Sequence, residues 1–219
     1  MIELKASDGH KLAAYEAQPS GKPRGLVIVI QEIFGVNGHI KSVADGYAND
    51  GYLAIAPAMF DRAQRNYESG YTQPEVQAGI ELKKKIDWND AMLDVRAALD
   101  HGKSAGKAGI VGYCWGGVVS FLAASRVHGL SAAVSYYGGS LPEFLYENPR
   151  CPVMFHFGET DQSIPLDKAK QIADAYPDET TYYYPAGHGF NCDQRASYNA
   201  ACAKTARERS LAFFREHLG

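Results

Sequence analysis

The sequence predicts an α/β fold: a mostly parallel sheet with helices packed on both faces. Three observations predict it. Short β-rich runs alternate along the chain with stretches of helical periodicity. Several runs, such as Leu26-Val27-Ile28-Val29-Ile30 and Val153-Met154-Phe155-His156-Phe157, are almost continuously apolar, as strands covered from two sides must be. A glycine-rich segment, 112–117, joins one such run to a helical stretch.

Strands are expected over residues 12–17, 26–31, 52–56, 108–113, 132–136, 153–157 and 180–184. The tyrosines Tyr182, Tyr183 and Tyr184 belong to strand packing in this reading. One helix follows from Ala91, Met92, Val95, Ala98 and Leu99 at helical spacing, with Asn89 as its cap. A second runs from Val118 to Ala124. Pro165 suits the first turn of a third, which extends to about Tyr176. The last starts near Asp193 and carries Ala206, Ser210, Phe213, Phe214 and Leu218 on one face. Strand–helix alternation implies right-handed crossovers, and function then gathers at the carboxyl ends of the strands.

Composition narrows the function classes. With 219 residues, 46% hydrophobic and 21% charged, the chain reads as one globular domain, 1–219, able to bury a core without metal or disulfide staples. A net charge of −3 with mixed signs argues against nucleic-acid or membrane-surface partners. The longest aliphatic run, 26–30, is far short of the ~20 residues a membrane-spanning helix needs. The N-terminus lacks a secretory pattern. Cys114, Cys151, Cys192 and Cys202 show neither a CxxC pair nor histidines at zinc spacing, so reduced thiols in a cytoplasm are expected, and no metal. A monomer is the default.

The strongest chemical signal is Gly112-Tyr113-Cys114-Trp115-Gly116-Gly117. Strand, sharp turn and helix in that order make a nucleophile elbow, here carrying cysteine. Glycines flank it because side chains beside so tight a turn would clash. The sulfur then sits at a helix N-terminus, where the local field favours a thiolate, and the Trp115 amide faces a developing oxyanion. The competing reading is a buried structural cysteine.

A cysteine nucleophile needs a base, and the base an orienting acid. His188, in Gly187-His188-Gly189-Phe190, follows the last strand, and Asp161 follows the strand over 153–157. Glu159 is the rival acid. His156 reads as a packed strand residue, and His10, His39, His101, His128 and His217 as solvated. Glu32, at the mouth of the apolar strand ending at Ile30, is costly there unless paired or functional. Its loop corresponds to the one supplying a second oxyanion amide, Ile33.

Gln31-Glu32-Ile33-Phe34-Gly35, Ala56-Pro57-Ala58-Met59-Phe60-Asp61-Arg62, the Cys114 elbow, Ser135-Tyr136-Tyr137-Gly138, Gly158-Glu159-Thr160-Asp161 and His188-Gly189-Phe190 stand in order at sensible spacings. In these motifs, across nearly its whole length, the chain resembles the dienelactone hydrolase family, a branch of the α/β-hydrolase fold. The resemblance implies hydrolysis of dienelactone, a cyclic enol-lactone, to maleylacetate during breakdown of chlorinated aromatics, with no cofactor. It implies a triad of Cys114, His188 and Asp161. It also implies that Glu32, held by an arginine at rest, takes the thiol proton once the substrate carboxylate competes for that arginine. Arg62 matches the family arginine and would grip the carboxylate, a task suited to a planar guanidinium; a surface arginine is the alternative. The family's second arginine, in His-x-x-x-Arg, is replaced here by Cys192. Arg195, three residues on, either substitutes for it or is a helix-surface charge. Tyr137 and Phe34 are expected as pocket walls. Two other functions fit less of the pattern: a general carboxylesterase or thioesterase on the same scaffold, and a non-catalytic thiol redox sensor or binding module.

Overall fold

A computed structural model of the chain describes residues 1–219. In chain order its strands are β1 (Ile2–Lys5), β2 (Lys11–Ala17), β3 (Leu26–Ile30), β4 (Leu53–Pro57), β5 (Ala108–Tyr113), β6 (Leu130–Tyr136), β7 (Val153–Gly158) and β8 (Thr180–Tyr184). They form one sheet in the order β1-β2-β4-β3-β5-β6-β7-β8. β2 runs antiparallel to both neighbours, and all pairs from β4 through β8 are parallel. The helices are α1 (Gly38–Asn49), α2 (Gln73–Lys83), α3 (Trp88–Gly102), α4 (Trp115–Arg126), α5 (Leu166–Ala175) and α6 (Ala200–Leu218).

The two-residue period of a strand explains why the apolar runs need helices on both sides. In β3, Leu26, Ile28 and Ile30 join one core with residues of α3, α4 and α5. Val27 and Val29 join the opposite core, with Ile40, Ala44 and Tyr47 of α1 and Phe213 and Phe214 of α6. Each fully buried side chain of this size contributes roughly 1.5–3 kcal/mol. Such a strand has no solvent face.

All seven expected strands are present, two with the expected bounds and the rest shifted by one or two residues. β1, α1 and α2 are additional. The α3 cap is Asp87 rather than Asn89: the Asp87 side chain accepts from the Asn89 amide at 2.7 Å. The final helix starts later than expected. Residues 189–198 instead make successive turns, with amide bonds from Cys192 to Gly189, Arg195 to Cys192 and Tyr198 to Arg195. Asn199 then caps α6 by accepting from the Cys202 amide at 3.1 Å.

His156 is a packed residue, as expected. It is fully buried in β7, with Nδ1 2.8 Å from the Tyr184 hydroxyl and Nε2 3.0 Å from the Ser210 hydroxyl, tying β7 to β8 and α6. Burial pushes its imidazole down to about 3. An unfolded histidine titrates near 6.5, so between these values only the unfolded chain binds this proton. The contribution is therefore complete above pH 6.5 and is lost as pH falls toward 3. Urea unfolding from pH 7 to pH 4.5 is expected to show a loss approaching ~1.4 kcal/mol per pH unit from this site. In His156→Gln that part of the pH slope should vanish.

Candidate active site

Cys114 occupies the junction of β5 and α4 with φ 56° and ψ −116°, left-handed backbone that costs a non-glycine residue roughly 1–3 kcal/mol. The surroundings force it. A β-carbon on Gly112 would overlap the Gly116 carbonyl, and one on Gly116 would overlap the Ile30 and Gln31 carbonyls. The Cys114 amide is also tied to the Tyr136 carbonyl at 3.0 Å. The side chain thereby sits partly exposed at the N-terminus of α4. Neither the Trp115 amide, in the first turn of α4, nor the Ile33 amide, in the loop after β3, donates to a protein acceptor.

His188, four residues beyond β8, shares the cleft with Cys114. Its Nδ1 lies 2.8 Å from Asp161 Oδ2. The Asp161 Oδ1 accepts from the Ser163 and Ile164 amides at 2.7 and 3.2 Å, so the buried carboxylate is fixed from both sides. Glu159, the rival acid, is exposed. Burial alone would lower the His188 imidazole, but Cys114 and Asp161 together outweigh it and raise the group to about 10. The tautomer that donates from Nδ1 to Asp161 leaves Nε2 for the thiol side.

Glu32 follows β3 and is almost fully buried. Its Oε1 accepts from Arg195 Nη1 at 3.1 Å, and the guanidinium stacks over Phe34 at 5.6 Å. Arg195 comes from the turns that precede α6. Gly189, at φ +77°, lies directly against its guanidinium, where any β-carbon would collide. The cleft has a volume of about 430 Å³ and brings together Ile33, Phe34, Cys114, Trp115, His188 and Arg195. These residues all lie beyond the carboxyl ends of parallel strands.

Residues 12–218 match the model of the dienelactone hydrolase family. The chain belongs to that family. A carboxymethylenebutenolidase of Pseudomonas putida is 30% identical over 97% of this chain and 94% of its own length. A Synechocystis sp. protein, provisionally named a carboxymethylenebutenolidase, is 34% identical over 95% of this chain and 93% of its own. The solved structure of a Klebsiella pneumoniae protein, provisionally described as a dienelactone hydrolase, superposes with a TM-score of 0.85 at 33% identity, covering 98% of each chain. The fold is that of the α/β-hydrolases, and membership of the dienelactone hydrolase family makes the protein an enzyme acting on ester or lactone bonds of small molecules. No helix is long and apolar enough to cross a membrane.

Two residues expected in the cleft of this dienelactone hydrolase family member lie outside it. Arg62, in the short 3-10 turn after β4, makes a two-pronged bond to Asp94 of α3, with Nε and Nη2 each 2.8 Å from a carboxylate oxygen. Its third nitrogen bonds Asp8 at 2.8 Å. Arg62 is absent from the cleft lining because α3 holds the matching buried charge. Tyr137 is fully buried and forms no pocket wall. At φ +39°, it packs its ring edge-on against His188 at 5.1 Å and Phe190 at 5.3 Å, behind the imidazole.

Conversely, Val76, Ile80 and Lys83 of α2, with Ser140, Glu143 and Ser163, line the cleft although sequence reasoning missed them. The signal for α2 was Thr72-Gln73-Pro74-Glu75: Glu75 accepts from the Thr72 amide and hydroxyl at 2.9 and 2.5 Å. The stretch leading to it is tied down. Ser69 donates to the Phe34 carbonyl at 3.0 Å, and Gly35 bridges to Glu68.

Burial pushes the Asp94 carboxyl upward even against the opposing pull of Arg62, so removing the arginine strands a buried charge. Arg62→Ala is expected to cost about 3 kcal/mol or more in urea unfolding, with KM unchanged. A tenfold rise in KM at an unchanged urea midpoint would return Arg62 to substrate binding.

Proposed function

We propose that the protein hydrolyses a carboxylate-bearing enol-lactone, dienelactone, to maleylacetate through an acyl-thioester on Cys114. The observation that carries this reading is the strained Cys114 elbow facing a His188 that Asp161 holds at 2.8 Å. The residue order cysteine, aspartate, histidine and the two amides without protein acceptors support it.

At rest Glu32 is paired with Arg195. A substrate carboxylate entering the cleft competes for that guanidinium, which takes the part first assigned to Arg62. Glu32, released, or His188 removes the thiol proton, and sulfur attacks the lactone carbonyl. The oxyanion accepts from the Ile33 and Trp115 amides. The attack forms the C–S bond; collapse restores the carbonyl as a thioester and breaks the ring C–O bond, the enolate oxygen takes the proton and the enol becomes the ketone. Water then gives a proton to His188 and attacks the thioester. The C–S bond breaks, the acid leaves, and the sulfur is restored. Oxyanion donors of this kind are each worth on the order of 100- to 1000-fold in turnover.

Purified protein is to be assayed with cis- and trans-dienelactone by ultraviolet absorbance, beside Cys114→Ser and Arg195→Leu. Wild-type turnover is expected with either isomer, with a loss of at least ~1000-fold in Cys114→Ser. Arg195→Leu is expected to raise KM for the anionic lactone while leaving hydrolysis of p-nitrophenyl acetate, which has no carboxylate, within a few-fold. Faster turnover of the neutral ester than of either dienelactone would move the substrate to other esters. Full activity in Cys114→Ser would overturn the thioester.

A further inference from the structure

Among the histidines expected to be solvated, His101 and His128 are exposed, His10 and His217 are half-buried, and His39 is buried. It stands in the first turn of α1 with its side chain 5% exposed, and its Nδ1 lies 3.0 Å from Asp193 Oδ1. Its Nε2 is buried and has no partner. Asp193 is exposed and belongs to the turns that carry Arg195. Its neighbour Cys192 is fully buried, and the thiol donates to the Tyr71 hydroxyl at 3.3 Å. One ring nitrogen of His39, the Cys192 sulfur and one Asp193 oxygen all lie within 4.8 Å of one another. A shallow cleft of about 280 Å³ between α1 and α6, lined by His39 and Asp193, opens beside them to solvent.

We infer that His39, Cys192 and Asp193 form a binding site for a zinc-type divalent metal, behind and separate from the catalytic cleft. The donor chemistry selects the class of ion. Imidazole, thiolate and carboxylate suit a borderline-soft cation, whereas magnesium and calcium take oxygen alone. In a tetrahedral zinc site, bonds of about 2.0–2.3 Å put neighbouring donors about 3.3–3.8 Å apart. His39 and Asp193 already stand 3.0 Å apart, so the closure needed, at most about 1 Å, falls on the Cys192 sulfur, which exchanges its bond to the Tyr71 hydroxyl for one to the metal. Water from the cleft supplies the fourth ligand. On binding, the Cys192 S–H bond breaks, the proton leaves to solvent and a sulfur–metal bond forms, with no change of oxidation state. Cys192 and Asp193 precede Arg195 by three and two residues, so a filled site fixes the turn that positions the guanidinium on Glu32.

Full-length Cys114→Ser protein, which lacks the catalytic thiol, is titrated with Co²⁺ alone and then with competing Zn²⁺. One equivalent of Co²⁺ per chain is expected, with a near-ultraviolet thiolate-to-cobalt absorption that Zn²⁺ abolishes. Adding Cys192→Ser should remove the absorption, and adding His39→Gln should weaken binding ~10-fold or more. Because His39 and Cys192 are buried, Asp193→Asn serves as the variant that leaves the fold intact, again with ~10-fold weaker binding expected. No thiolate absorption with Co²⁺, or an absorption that survives Cys192→Ser, would overturn the site. Neither outcome bears on the acyl-thioester reading, which stands or falls on turnover by the wild type against Cys114→Ser with no metal added.

Discussion

The site depends on one backbone constraint: Cys114 is held at a positive φ between a strand and a helix that cross too closely for side chains. Gly116 sits against the carbonyls at the end of β3, and Gly117 against the Tyr136 carbonyl at the end of β6. These contacts bring α4 down onto the sheet and fix Cys114 at the turn between β5 and α4. The strain is sustained by the surrounding core, where Val118, Val119, Phe121 and Leu122 of α4 are buried against β-strand side chains. Relaxing the turn would lift the helix off that core.

Around this rigid point the charged groups fall into two kinds. Arg62 and Asp94 are a pair away from the cleft, satisfied on both carboxylate oxygens and linked further to Asp8. Arg195 and Glu32 make one direct bond at the wall of the cleft, which Arg195 lines with its side chain 21% exposed and Glu32 backs from the buried side. A fully satisfied buried pair has little reason to open, because each partner left alone would face a large desolvation cost. A singly bonded pair open to the cleft has donors to spare for an incoming carboxylate. That difference in saturation, rather than proximity in sequence to a motif, separates the structural arginine from the one proposed to meet substrate.

Much of the sheet was legible because fully buried strands write continuous apolar runs: β3, β5 and β7 each bury every residue. β1 was not, since Ile2-Glu3-Leu4-Lys5 is a four-residue edge strand with only Leu4 buried. α2 escaped for a similar reason, burying only Gly79 and Leu82 and so carrying little periodic signal. The Asn89 cap failed by two residues because Asp87 and Asn89 both suit a helix start, and hydrogen bonding alone selects between them. The late start of α6 reflects turns around Gly189 that composition does not announce.

The sequence by itself determined the elbow, the order of Cys114, Asp161 and His188, and the parallel sheet that sets them beyond the carboxyl ends of β5, β7 and β8. Those features follow from short-range contacts: glycines within a few residues of Cys114, and apolar runs with a two-residue period. Only the tertiary structure decided which arginine meets Glu32, where Tyr137 packs, and that His39 lies beside Asp193. Glu32 and Arg195 are 163 residues apart in the chain, and His39 and Asp193 are 154 apart. Ionic and polar partners at such separations are selected by where the sheet order delivers two loops and by which buried charge is left without a counterion, and neither quantity is written in local spacing.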